Sequence, residues 1–310
     1  MLKIPFAIVF LLQFSYISFA QVKNDSIIKV KENYITLSEI VVNRKLDVPS
    51  FIERVKNDTT FYKAFRNLHI LSYTSLNDIR MLDKDGKTEA SLRSKTKQIR
   101  TGNCRKMQTL EEVTTGNIYD GNKNFNYYTA QMYAGLFFTK DSVCGEDNIV
   151  KGHNFSTSNL SGMEKHKEQL KMLFFNPGGK INGLPFISGK TEIFDESMAD
   201  KYDMDIDLRD FKNTSCYVFS VKVKNDKRKG VVINEMTTWF NEKTFEIVAR
   251  KYSLSYDAGV YDFDVQMETE MTKVGDLLVP AVLRYNGNWK AIFKKRERGI
   301  FTATLFDFAK

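Results

Sequence analysis

Residues 236–271 read "MTTWFNEKTFEIVARKYSLSYDAGVYDFDVQMETEM". Three runs rich in β-branched and aromatic residues are separated by "NEK" (241–243) and "DAG" (257–259), links whose Asn, Asp and Gly suit tight hairpins. Links this short force antiparallel neighbours. In the last run Asp262, Asp264, Gln266, Glu268 and Glu270 alternate with Tyr261, Phe263, Val265, Met267 and Met271, so the strand period of two sends the two sets to opposite faces. The carboxylates are open to two readings, an acidic site or the wet face of a sheet. Lys290, Lys294 and Arg296 recur nearby at alternate spacing, and Arg250 lies on the preceding strand. Cross-strand charge pairs on an outer face are therefore the economical reading. The aromatic and Met side chains behind them become the ones to line any cavity.

The same weave extends outward. "VVINEMTTWF" (231–240), "LLVPAVLRY" (277–285), "WKAIFKKRE" (289–297) and "IFTATLFDF" (300–308) read as further strands, joined by "KVGD", "NGN" and "RG". Pro280 inside one of them demands an edge or a bulge. Upstream, residues 69–82 and 89–100 flank Asp83-Lys84-Asp85-Gly86 and read as a hairpin; a calcium loop there would need further acidic ligands that are absent. Residues 105–114, 117–133 (with a turn at Asp120-Gly121) and 183–195 continue in strand style. In "YDMDIDLRDF" (202–211), Asp203, Asp205 and Asp207 share one face, read as solvated rather than metal-binding.

Two segments have helical spacing. In "FIERVKNDTTFYKAFRNL" (51–68), Phe51, Ile52, Val55, Tyr62 and Phe65 fall near one face, with a break expected at Asp58-Thr59-Thr60. Ser161 and Glu164 form a capping box that opens a second helix over 161–175, with Met163, His166, Leu170, Leu173 and Phe174 on one face. Asn176-Pro177-Gly178-Gly179 stops it.

The N-terminus points to export. Lys3 precedes the apolar run "IPFAIVFLLQFSYISFA", which ends in Ser18-Phe19-Ala20 before polar "QVKNDS". That is the pattern of a cleaved signal peptide over 1–20. The run is shorter than the roughly 20 residues a spanning helix needs. Residues 21–48 read as a leader with one short strand in "NYITLSEIVV" (33–42), and 49–310 as a single domain. The expected location is periplasmic or outer-membrane associated. The 46 Lys and Arg against 38 Asp and Glu give a net charge of +8. An anionic membrane surface or acidic partner suits that excess. Nucleic acid does not suit an exported chain with scattered bases and no binding motif. Of Cys104, Cys144 and Cys216, an oxidising compartment allows one disulfide, and the pair is not set by spacing.

No nucleophile elbow, SxxK, HExxH, P-loop or GxGxxG occurs, and the histidines are His69, His153 and His166. No catalytic, cofactor-binding or metal-binding residue is therefore expected. The fold class expected is α+β: a large curved antiparallel sheet, an incomplete β-barrel, with helices covering its concave side. Such helices either fill that side or enclose an apolar cavity. If a cavity forms, its expected lining is Phe51 and Val55, Leu170 and Phe174, and Met236, Tyr261, Phe263, Val265 and Met267.

The hairpin step Trp239–Ile247 ("WFNEKTFEI") and the step Leu278–Tyr285 ("LVPAVLRY"), in this order of elements, resemble the LolA/LolB-like superfamily of periplasmic lipoprotein carriers and related lipid-binding envelope proteins. The resemblance spans roughly residues 50–308 in architecture. It implies a half-barrel that holds the acyl chain of a lipid or an acylated protein, without enzyme activity or cofactor, and assigns no single residue a role. The leader resembles the "L-x-E-V-V-V" segment of outer-membrane TonB-dependent receptors and associated proteins, which implies an outer-membrane protein as a partner, docked through the leader or a sheet edge.

Overall fold

A computed structural model describes residues 25–150, 173–175, 177–179, 187, 189–259, 261–291 and 295–310. Strands β1 (Ser26–Val30) and β2 (Asn33–Leu37) are followed by helices α1 (Glu39–Asn43), α2 (Val48–Lys56) and α3 (Thr60–Asn67). A meander follows: β3 (Ser72–Leu82), β4 (Thr88–Thr101) and β5 (Cys104–Thr115). Helix α4 (Tyr128–Phe137) and β6 (Ser142–Cys144) come next. The chain ends in β7 (Tyr202–Phe211), β8 (Thr214–Val223), β9 (Ile233–Asn241), β10 (Ile247–Asp257), β11 (Tyr261–Val274), β12 (Leu277–Ala291) and β13 (Glu297–Ala309).

All thirteen strands join one open curved sheet in the order β1-β2-β7-β8-β9-β10-β11-β12-β13-β3-β4-β5-β6, so the fold is α+β. Neighbours run antiparallel except β2 and β7, which are parallel. The leader, read as one short strand at 33–42, instead holds two strands and a helix over residues 26–43. Ile35, Leu37 and Val41 are buried in the common core. Positions 35, 37 and 41 would also share one face of a single strand; the switch to helix shows only in the Val41 and Val42 amides, which donate to the Ser38 carbonyl at 3.0 and 3.1 Å.

The C-terminal meander has five strands from β9 onward rather than six. Asn286-Gly287-Asn288 is not a turn: Gly287 pairs with Val265 on one side and Gly299 on the other. A Cβ at Gly287 would collide with the Tyr285 ring, so the glycine marks a close approach inside a strand. Pro280 sits where the β11–β12 register slips between Glu270 and Met271, the expected bulge. Residues 128–137 are helical, not strand. The backbone N–H groups of Tyr128 and Thr129 donate to the Glu297 carboxylate at 3.0 and 2.7 Å, an N-terminal cap from β13 that local sequence does not announce. Residues 191–198 form turns rather than a strand, with Phe194 stacked on Phe219.

The acidic side of β11 is the outer face. Arg284 donates to Glu268 and Glu270 at 2.8 Å each, Lys212 also holds Glu270, and Arg296 lies 2.6 Å from Asp262. Arg250 does not share that face. Its register partners are Thr238 and Thr269, which places it inside, stacked on Phe61 and 4.0 Å from Asp58. Asp58 also accepts from the Thr60 backbone N–H at 3.1 Å, which explains the break between α2 and α3. On β7, Asp203 and Asp207 pair with Lys224 and Arg209.

The helices cover the opposite, apolar face. Phe51 of α2 meets Tyr217, Phe219, Phe240 and Phe245 with ring centroids 5.4–6.4 Å apart. Full burial of such a ring contributes about 1.5–3 kcal/mol, and each good aromatic pair about 0.5–1.5 kcal/mol more. α4 lays Tyr133 on Tyr285 and Phe301.

Candidate functional site

A cavity of about 190 Å³ lies between α3, α4 and the β3–β5 end of the sheet. One part of its wall is apolar: Phe65, Leu68, Leu136, Phe137, Phe138 and Phe175. The other is ionic: Arg66 and His69 from the end of α3 and the turn after it, Arg105 from β5, and Glu146 from the loop after β6. The amphipathic spacing of α3 turns Phe61, Ala64 and Phe65 inward, which brings Arg66 to the rim.

Glu146 is the hub of the ionic end. Arg105 Nε donates to Glu146 Oε2 at 2.5 Å, and His69 Nδ1 lies 3.2 Å from Glu146 Oε1. Burial pushes the Glu146 carboxyl up, but the Arg105 hydrogen bond and the charges of His69, Arg105 and Arg66 outweigh it and hold Glu146 below the usual carboxylate range. Arg105 also donates to Gln98 Oε1 at 2.9 Å and to the Thr139 hydroxyl. Gln98 is itself fixed by donating to the Leu68 and Leu71 carbonyls at 2.7 Å each. Burial pushes the Tyr73 phenol at the cavity wall up to about 12, so it stays neutral. The Cys104–Cys144 disulfide ties β5 to β6 beside Arg105, while Cys216 is a buried free thiol on β8.

A His–Glu pair is two-thirds of a nucleophilic triad. The third member is missing from the lining, which contains neither serine nor cysteine, and Cys104 is locked in its disulfide. Among the described residues no group of three or more His, Cys, Asp or Glu gathers as a metal site. What the arrangement can do is bind: phenyl walls for an apolar group, two permanent cations for an anion. A more open groove of about 510 Å³, lined by Lys31, Lys56, Glu192, Asp195 and Glu196 among others, carries both signs of charge.

The residues nominated from sequence lie elsewhere in the core. Phe51, Phe263 and Val265 are packed among neighbours and Val55 and Met236 border a separate void of about 30 Å³. Phe174 and Met267 line a void of about 10 Å³ under α4. Leu170 lies outside the described residues, as does the side chain of Tyr261. The 10 Å³ void shares Leu136, Phe137 and Phe175 with the 190 Å³ cavity, so those three side chains are the partition between them. The ionic cluster was missed because Arg66, His69, Arg105 and Glu146 come from three separate segments. The one available signal was Arg105 standing next to Cys104.

Fold and cavity together define an α+β protein with an open curved sheet and an internal site of mixed apolar and ionic chemistry. Neither a protein-family model nor a curated protein sequence matches the chain. Among solved structures, a domain described as an outer-membrane lipoprotein-sorting protein from Vibrio parahaemolyticus is similar over 77% of this chain and 84% of its own, at 8% identity and a TM-score of 0.26. A DUF1329 family protein from Desulfovibrio piger ATCC 29098 is similar over 81% and 93%, at 12% identity and a TM-score of 0.23. At these identities and scores neither likeness bears on what this chain binds.

Proposed function

We propose that the protein is an exported, non-catalytic envelope protein that holds the acyl chain of a lipid or of an acylated protein in the cavity beneath α3 and α4. One observation carries this reading: a phenyl-walled cavity that ends in fixed cations, an amphiphile's chemistry in reverse. Export is supported by the apolar run before Gln21 and by the Cys104–Cys144 disulfide, a bond that persists in oxidising compartments. At about 190 Å³ the cavity is smaller than a drug-sized site of about 300–1,000 Å³ and accepts only the end of a chain. A longer chain enters when Phe137 and Phe175 turn and join it to the void beyond. Native mass spectrometry of protein purified from a diderm host should find a lipid that exchanges, and Leu136→Trp should expel it. The absence of any co-purifying or exchangeable lipid would refute the reading.

A second reading is favoured by β1, the edge strand of the sheet among the described residues, on which Ile27 is 70% exposed. Here an outer-membrane protein adds a strand to that edge. Deleting the leader is an unsuitable test, because Ile35, Leu37 and Val41 belong to the core. Ile27→Lys leaves the core untouched, and retained partner capture by that variant would dismiss the idea.

A further inference from the structure

The ionic end of the cavity contains its own anion, and the segment that supplies it is separable from the rest of the wall. We propose that this end is a head-group site for a carboxylate or phosphate monoester carried on an apolar chain, and that Glu146 fills it as an internal surrogate which the ligand displaces. The proposal rests on the cavity being an acyl site, as argued above.

Arg66 and Arg105 cannot lose their charge, and cations placed against phenyl walls require an anion. Here the anions come from one strap, residues 145–149, which has neither helix nor strand. Side chains fasten it: Glu146 to Arg105 and His69, Asp147 to Arg66 at 3.1 Å, and Asn148 to Asn67 at 2.7 Å. Arg66 also donates to the Asp147 carbonyl at 2.7 Å. A segment held by partly exposed polar bonds opens at far lower cost than the sheet beneath it.

The receiving side is different. Arg105 stands on β5 and keeps its bonds to Gln98 and Thr139 when Glu146 leaves, so the guanidinium remains aimed at the vacated position. Such preorganisation of the Arg105 fork, with the Arg66 charge on the same wall, suits the planar or tetrahedral oxygens of a carboxylate or phosphate. The Cys104–Cys144 bond anchors the strap one residue before Gly145, whose φ of +77° and open surroundings make it the pivot. The strap therefore swings aside without leaving the domain. The apolar tail of the ligand follows from the wall that continues inward through Leu136, Phe137 and Phe175.

The test is native mass-spectrometric titration of wild type and Glu146→Gln with dodecanoate, dodecyl phosphate, dodecanol and inorganic phosphate. Removing the competing carboxylate should tighten both anionic amphiphiles about tenfold, equivalent to about 1.4 kcal/mol. Dodecanol should change by less than about twofold. An equal change for alcohol and anions, or none, overturns the head-group assignment while the acyl cavity stands. Inorganic phosphate binding the variant as tightly as dodecyl phosphate makes this a plain anion site and also overturns it. Failure of every amphiphile to bind either protein refutes the acyl cavity itself, and the inference falls with it. Hydrogen exchange on the wild type requires no variant: dodecanoate should speed exchange over residues 145–149 and dodecanol should not. Slower or unchanged exchange with dodecanoate overturns displacement of the strap.

Discussion

Phe137→Ala tests the partition between the two voids. Phe137 is half-buried, stacks on Phe301 at 5.1 Å, meets Phe175 edge-on at 6.0 Å and borders both spaces. Truncating a core phenylalanine costs about 3–5 kcal/mol, and partial exposure argues for the lower end, about 3 kcal/mol. At an unfolding entropy of about 2.1 cal/mol/K per residue, this 310-residue chain loses roughly 1.5 °C per kcal/mol, so the melting temperature should fall by about 5 °C. The same truncation opens room for a longer chain. If about four more methylenes enter at about 0.8 kcal/mol each, they contribute about 3 kcal/mol, on the order of a hundredfold in affinity. Ligand at about 100 times its Kd adds about 2.7 kcal/mol of stability, so hexadecanoate should restore most of what the mutation removes. Octanoate should not discriminate between variant and wild type. The assay is a melting series with fatty acids of increasing length. Equal shifts for short and long chains in the variant, or loss of all binding, would show that Phe137 does not divide an acyl path.

Three further outcomes are expected. Removing the Cys104–Cys144 bond as the double serine variant should cost about 4 kcal/mol on the chain-entropy model for a separation of 40 residues, and thiol counting should find one reactive cysteine in the unreduced unfolded chain and three after reduction. Glu146 has a folded value below its ordinary 4.5, so the stability it contributes is present above that value and is lost as pH falls through the folded one. Denaturant unfolding should accordingly show wild type more stable than Glu146→Gln at neutral pH, with the gap closing below about pH 4.5. Glu297→Ala removes the acceptor of two α4 amides, at a cost of about 1–2 kcal/mol, and should speed hydrogen exchange over residues 128–137 before other helices. Unchanged exchange there would mean that Tyr133 packing alone holds the helix.

Local pattern was enough wherever a periodicity or a turn chemistry acts over a few residues. Alternation in 262–268 and 202–208 assigned inside and outside correctly, because a strand side chain has only two directions to take. Asp83–Gly86 and Asp120-Gly121 announced their turns: Asp83 and Asp120 each accept from backbone amides two and four residues on. Pro280 announced its bulge, and Asp58-Thr59-Thr60 the break between α2 and α3. Pattern failed where a distant residue supplies the deciding contact. Gly287 and Gly299 read as turn signals, yet they pair with each other inside strands, and Gly287 makes room for Tyr285. Residues 128–133 read as strand because the carboxylate that caps their helix is on β13. Arg250 read as an outer base, and only its register with Thr238 and Thr269 turns it inward. The candidate site is the extreme case. By itself the sequence determined an α+β meander, its wet and dry faces and an apolar N-terminal run. Which cysteines pair, and that Arg66, His69, Arg105 and Glu146 meet at one end of a phenyl-lined cavity, only the tertiary structure decided. Each of those side chains belongs to a segment whose local rules are satisfied without the others, so nothing along the chain records their meeting.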